Sequence, residues 1–82
     1  MKLDVESIDL AQLACDVQRR CEAPLIGPLT GRSHLRDIVA GHLGCSLLEA
    51  EELVDTMIAR GFARLEPDGE GREVWRVTTK GN

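Results

Sequence analysis

Three sets of side chains in this sequence could do chemistry. The first is acidic: Glu49, Glu51, Glu52 and Asp55 set four carboxylates within seven residues, with no cation among them. Such a run can accept ion pairs and hydrogen bonds from a basic partner. The second set is basic and scattered: Arg32, His34 and Arg36, then Arg60 and Arg64, then Arg72, Arg76 and Lys80. Lysine and arginine in patches can displace counterions from phosphates. The third set comprises the thiols Cys15, Cys21 and Cys45 and the imidazoles of His34 and His42.

The third set does not assemble into a catalytic or metal constellation. A metal site needs several ligands converging on one point, and His42 and Cys45 are the only close pair. Cys15 and Cys21 are six residues apart, about 120° from one another on a helix, so they form no clamp. Three thiols leave one unpaired in any disulfide scheme, and reduced, mostly buried cysteines are expected. Ser33 and His34 are chain neighbours, which is not the arrangement of a nucleophile and its base. No glycine-rich phosphate loop occurs. The sequence supports no enzyme, no cofactor, no metal and no small-molecule substrate.

Eighty-two residues make one domain. A chain of this size buries only about 60% of the surface that its unfolded form exposes, so a thin core and no deep substrate cavity are expected. Phe62 and Trp75 are the only aromatic residues, and Leu, Ile, Val, Ala and Met must build the interior. The net charge of −4 disfavours non-specific adhesion to nucleic acid or anionic membrane while leaving room for a local basic patch. No apolar stretch approaches the roughly 20 residues that a membrane span requires. The opening residues turn acidic at once, unlike a signal peptide, so the expected location is the cytoplasm.

The elements that would position these groups can be read from periodicity. Leu10, Leu13, Ala14, Val17 and Cys21 mark one stripe of a helix over about 5–22, and Ile8, Ala11 and Cys15 form a weaker strip nearly opposite. The prolines and glycines of residues 23–31 end that helix and leave space for a short extended piece within Leu25–Leu29. Thr30 or Ser33 can cap a second helix over about 33–43, with Leu35, Ile38, Val39, His42 and Leu43 inward and Gly44 past its end. Ser46 and Glu49 form a capping box that opens a third helix over about 47–60, with Ala50, Leu53, Val54, Met57 and Ile58 as its apolar face. After Gly61 the period becomes two, predicting a hairpin over about 62–78 with Asp68-Gly69 in the turn. Trp75 and Val77 share its inner face and Arg76 takes the other. Trp75 there reads as cover for the end of the core rather than as a partner hot spot.

From Ile38 to Gly81 the sequence resembles the winged helix-turn-helix superfamily of bacterial regulators, with no particular member indicated. Ala40, Leu43-Gly44 and Ser46 resemble the turn of that superfamily. Ala50, Val54, Met57 and Gly61 then stand at its expected offsets from Ser46. Gly71-Arg72-Glu73-Val74-Trp75-Arg76-Val77-Thr78 resembles its wing and closing strand, followed by a Thr79-Lys80-Gly81 tail. The resemblance implies an α+β fold: three helices followed by a two-stranded antiparallel hairpin wing. In DNA-binding members the third helix enters the major groove and the wing touches the backbone.

Mapped onto this chain, that role gives helix three an outward face of Leu47, Leu48, Glu49, Glu51, Glu52 and Asp55. Four carboxylates with no local cation would be repelled by duplex DNA, although a single glutamate can read cytosine. The preferred reading is therefore a non-catalytic binding module for a protein partner or a second copy of the chain. Its surface would be Leu47 and Leu48 framed by Glu49, Glu51, Glu52 and Asp55, together with Ile8, Ala11 and Cys15. Against this, one of the two leucines could simply staple the helix start into the core, and the Pro-Gly connection could fold over the strip of helix one. The alternative reading is a DNA-binding regulator docking through Arg32, His34, Arg36, Arg72, Arg76 and Lys80. Those cations could equally pair with nearby carboxylates as ordinary solvated surface, at about 0–1 kcal/mol per pair.

Overall fold

The computed structural model of the protein describes residues 8–81. Helix α1 spans Leu10–Arg20, shorter than the expected 5–22; positions 5–7 lie outside the described residues. Asp9 fixes its start, its carboxylate accepting from the backbone N–H groups of Ala11 at 3.1 Å and Gln12 at 3.2 Å. Arg19 and Arg20 in the last turn complement the negative end of the helix dipole. The chain then turns extended at Cys21, and Leu25–Ile26 form a short strand, β1.

Helix α2 covers Thr30–Leu43, beginning three residues before the expected position. Neither Thr30 nor Ser33 caps it, because the capping position is Leu29, whose side chain accepts nothing. Backbone takes over part of that work: the Gly31 N–H donates to Gly27 O at 3.0 Å, and the Ser33 N–H makes the first bond of the helix proper, to Leu29 O at 2.9 Å. Gly27 allows this at a φ of 95°. The helix closes at Gly44 in the left-handed region, as its sequence position predicts. Helix α3, Leu47–Ala59, opens with the full capping box: Ser46 Oγ accepts from the Glu49 N–H at 3.1 Å, and Glu49 Oε1 accepts from the Ser46 N–H at 3.1 Å.

The wing is not a two-stranded hairpin. Strands β2 (Ala63–Pro67) and β3 (Glu73–Val77) pair antiparallel, and β1 adds to the far side of β3 to make a three-stranded sheet in the order β1-β3-β2. The extended piece expected near Leu25 is thus the third strand. Its register sets Leu25 opposite Trp75 and Ile26 opposite Val74. Leu25 is buried, and its burial against the helices supplies the reason for a two-residue strand to pair at all. Because β1 is so short, it leaves the Val77 carbonyl uncovered, and Gln18 Nε2 of α1 donates to it at 2.6 Å. The whole is α+β, three helices against a three-stranded antiparallel sheet, a layout compatible with a winged helix.

The core joins Leu13, Ala14 and Val17 of α1 to Leu35 and Val39 of α2 and to Ala50, Leu53, Val54 and Met57 of α3. Leu25 and Ala63 close it from the sheet, while Trp75, Val77 and Phe62 pack against it partly buried. One close approach locks sheet to helix. A Cβ on Gly31 would sit 2.5 Å from the Leu25 carbonyl oxygen and 2.8 Å from Trp75 Cδ1. The indole N–H of Trp75 meanwhile donates to Pro28 O at 3.2 Å. Gly31→Ala must push α2 off the sheet, at about 1–3 kcal/mol. The expected result is a Tm lowered by roughly 4–20 °C for a domain of this size, with Trp75 fluorescence moved to longer wavelength. An unchanged Tm would show that the contact yields freely.

Candidate interaction surface

The acidic residues of α3 do not stand without cations. Helix α2 lies beside α3, and two arginines on consecutive turns of α2 reach across to it. Arg32 Nη2 binds Glu51 Oε2 at 3.1 Å and also binds Asp55 Oδ1. Arg36 Nη1 approaches Glu51 Oε1 at 3.5 Å, while its Nη2 holds Asp37 at 3.1 Å. The Asp55 carboxylate, by its hydrogen bond, raises the pKa of the Arg32 guanidinium, against the opposing effect of its partial burial. The expectation of four carboxylates with no local cation therefore needs correction. Arg32 and Arg36 are four apart, so both project from one side of α2, and Glu51 and Asp55 match them with the same spacing.

What remains outward on α3 is a different mixture. Glu49 is engaged by the capping box, and Glu52 makes no ion pair among the described residues. Leu47 is 53% exposed and Leu48 73% exposed, so neither staples the helix start into the core. Sequence reasoning missed Leu29, which is 80% exposed at the head of α2. Its place in a Pro-Gly connection gave no period from which to read its direction.

The strip of Ile8, Ala11 and Cys15 lies apart from the α3 leucines. Ile8 and Ala11 line an open cavity of about 490 Å³ with Thr56, Arg60 and Phe62, rather than lying under the Pro-Gly connection. Cys15 is half-buried, as are Cys21 and Cys45. Burial, and secondarily the charge of Glu49, raises the pKa of the Cys45 thiol. Cys21 Sγ donates to Ala23 O at 3.0 Å. No group of three or more potential metal ligands gathers among the described residues. His42 instead ties α2 to α1, its Nε2 standing 3.0 Å from Asp16 Oδ2. Its Nδ1 is buried without a hydrogen-bond partner, so in the neutral ring Nε2 carries the proton and donates.

The basic residues of the wing are also engaged. Arg72 Nε binds Asp68 at 2.7 Å and its Nη2 approaches Glu70 at 3.5 Å; Arg76 Nε lies 3.4 Å from Glu66. Of the six residues read as possible DNA contacts, Arg32, Arg36, Arg72 and Arg76 thus have carboxylate partners, whereas His34 and Lys80 make no ion pair among the described residues. No described helix is long and apolar enough to cross a membrane.

Known proteins add nothing to this picture. Comparison of the chain with protein-family models, with curated proteins and with solved structures finds no match. The surface must be interpreted from its own geometry.

The wing turn is organised by one side chain. Asp68 Oδ1 accepts from the backbone N–H groups of Glu70 and Arg72, each at 2.8 Å, and Oδ2 takes the Arg72 guanidinium. Gly71, at a φ of 83°, supplies the left-handed residue, although Asp68-Gly69 was the expected turn signal.

Two outcomes follow from these ion pairs. A double-mutant cycle on Arg32→Ala and Asp55→Ala should give a coupling of about 0.2–1 kcal/mol that shrinks at 1 M salt. Zero coupling at low salt would show that the pair does not hold in solution. The Asp68 carboxyl is held below its ordinary pKa, first by the Arg72 backbone N–H and then by Glu70 N–H and the Arg72 side chain. A lowered folded-state value means its stabilisation is complete above the ordinary aspartate pKa and is lost as pH falls through and below about 4. Amide-exchange protection of Glu70 and Arg72 should therefore drop on acidification before that of the α3 core, and Asp68→Asn should remove this step.

Proposed function

We propose that the protein is a small non-catalytic winged-helix module that engages another protein through the exposed start and outer side of α3. The observation that carries this reading is the exposure of Leu47 and Leu48 on consecutive positions, beside a helix face whose charges are largely compensated within the fold. Two leucines held in water by a capped, rigid helix end are an apolar anchor that needs no ordering on binding. Glu52 and the exposed edge of Asp55 add a negative rim, which favours a partner presenting apolar residues flanked by lysine or arginine. The same compensation lowers the face's suitability for a major groove. Arg32 and Arg36 would have to abandon carboxylates to meet phosphates, and Glu52 would still approach the duplex.

The test uses the whole chain in two arms. Anisotropy with mixed-sequence duplex at about 50 mM salt should show no binding up to high micromolar protein, since DNA-binding proteins reach 10⁻⁴–10⁻⁶ M non-specifically. Light scattering and partner capture should give a complex, with itself or with a basic protein, that Leu48→Asp disrupts while leaving the circular dichroism spectrum intact. Salt-sensitive duplex binding, or a complex indifferent to Leu48→Asp, would overturn the proposal.

A further inference from the structure

The open cavity at the other end of α3 from Leu47 and Leu48 has a chemistry of its own. Its volume is about 490 Å³, and it is lined by Ile8, Asp9 and Ala11 around the start of α1 and by Thr56, Arg60 and Phe62 around the end of α3. That size lies within the range of small-molecule sites. Ile8, Ala11 and Phe62 are half-buried, and they give the hollow its apolar walls. The backbone that carries its α3 side is fixed. The Arg60 N–H donates to Thr56 O at 3.0 Å, and the Phe62 N–H donates to Met57 O at 2.8 Å. Gly81 packs against the same residues so closely that a Cβ there would lie 2.7 Å from Arg60 O and 2.8 Å from Phe62 Cε2. Walls already held in place cost a ligand little ordering.

Its polar groups divide into acceptors and one cation. Asp9 Oδ1 takes the N–H groups of Ala11 and Gln12, while Oδ2 has no donor among the described residues. The Thr56 hydroxyl gives its proton to Glu52 O at 2.8 Å, which leaves its oxygen only as an acceptor. Arg60 is exposed and makes no ion pair among the described residues. It follows Thr56 by four residues, so the two lie one turn apart on the same side of the helix. A carboxylate ligand without an amine would meet Asp9 with like charge, and an amine without a carboxylate would meet Arg60 in the same way. A zwitterion with an apolar body satisfies both charges and the walls.

We propose that this cavity binds an apolar α-amino acid, its ammonium on Asp9 and Thr56, its carboxylate on Arg60 and its side chain against Ile8, Ala11 and Phe62. This site is independent of the α3 leucines, so it stands or falls apart from the function proposed above. The test is a titration of the ¹⁵N-labelled protein with L-leucine at about pH 7, where both ends of the probe are charged, following the amides of Asp9, Ala11, Thr56, Arg60 and Phe62. Saturable shifts confined to this region are expected in the millimolar range. Leucinamide lacks the carboxylate, isocaproate the ammonium and glycine the side chain, and each should bind about tenfold or more weakly. Arg60→Gln should weaken leucine to the same degree and leave leucinamide unaffected. Asp9→Asn keeps a capping side chain, so α1 is retained, and it should weaken leucine without weakening isocaproate. Non-saturating shifts, shifts that spread equally to Arg19 and Arg20, or an affinity indifferent to both substitutions would overturn the site. Leucinamide or isocaproate binding as tightly as leucine would overturn the zwitterion assignment, and glycine doing so would overturn the apolar one.

Discussion

The close approach of Gly31 to Leu25 and Trp75 governs how the rest of the molecule is put together. It seats the first turn of α2 directly on the sheet, and it draws the two residues of β1 against β3 as it does so. With α2 fixed there, the next residue, Arg32, is aimed at α3, and one turn later Arg36 follows. A backbone contact that only glycine permits therefore decides where two guanidinium groups fall. The hydrophobic core stabilises the packing of the helices, but it does not by itself set their rotation to this accuracy.

The charges show why a sequence-wide or even a helix-wide count is a poor guide to a surface. Read alone, α3 is an acidic helix in an acidic protein. In the fold its inner carboxylates are answered by α2, its capping glutamate is turned back to Ser46, and what reaches solvent is an apolar pair with a slight negative rim. On the sheet, the register sets Arg64 opposite Arg76, and Lys80 of the tail lines one hollow with both and with Glu66.

Much of the fold was legible in the sequence because its signals are local. The capping box at Ser46 and Glu49, the left-handed Gly44 and the change to a period of two after Gly61 each act within a few residues. The third strand was only half visible, since two residues carry no alternation and their pairing is dictated by Trp75, fifty positions away. The start of α2 was misread for a related reason: Gly27 supplies a carbonyl where a hydroxyl cap was expected. For the candidate surface, Leu47, Leu48, Glu52 and Asp55 are exposed as read, whereas Glu49 and Glu51 are half-buried, and the electrostatic state of the face was not legible. Arg32–Asp55 is a tertiary pair, and the sequence could offer its pairing only as one of two alternatives. Leu29, with no periodic neighbours, had no signal to read.

The β2 edge of the sheet carries a last consequence. The bonds from Thr78 N–H to Phe62 O and from Asp68 N–H to Arg72 O fix which residues of β2 face β3, so Ala63, Leu65 and Pro67 turn their backbones the other way. Ala63 is 1% exposed, and proline has no amide hydrogen, so Leu65 alone offers a complete donor and acceptor to an incoming strand. An isolated pair of bonds cannot template a ladder, and Arg64 beside it discourages stacking of identical chains. The fold thus exposes leucines on a helix, while the β2 edge offers an incoming strand a single residue at which to pair.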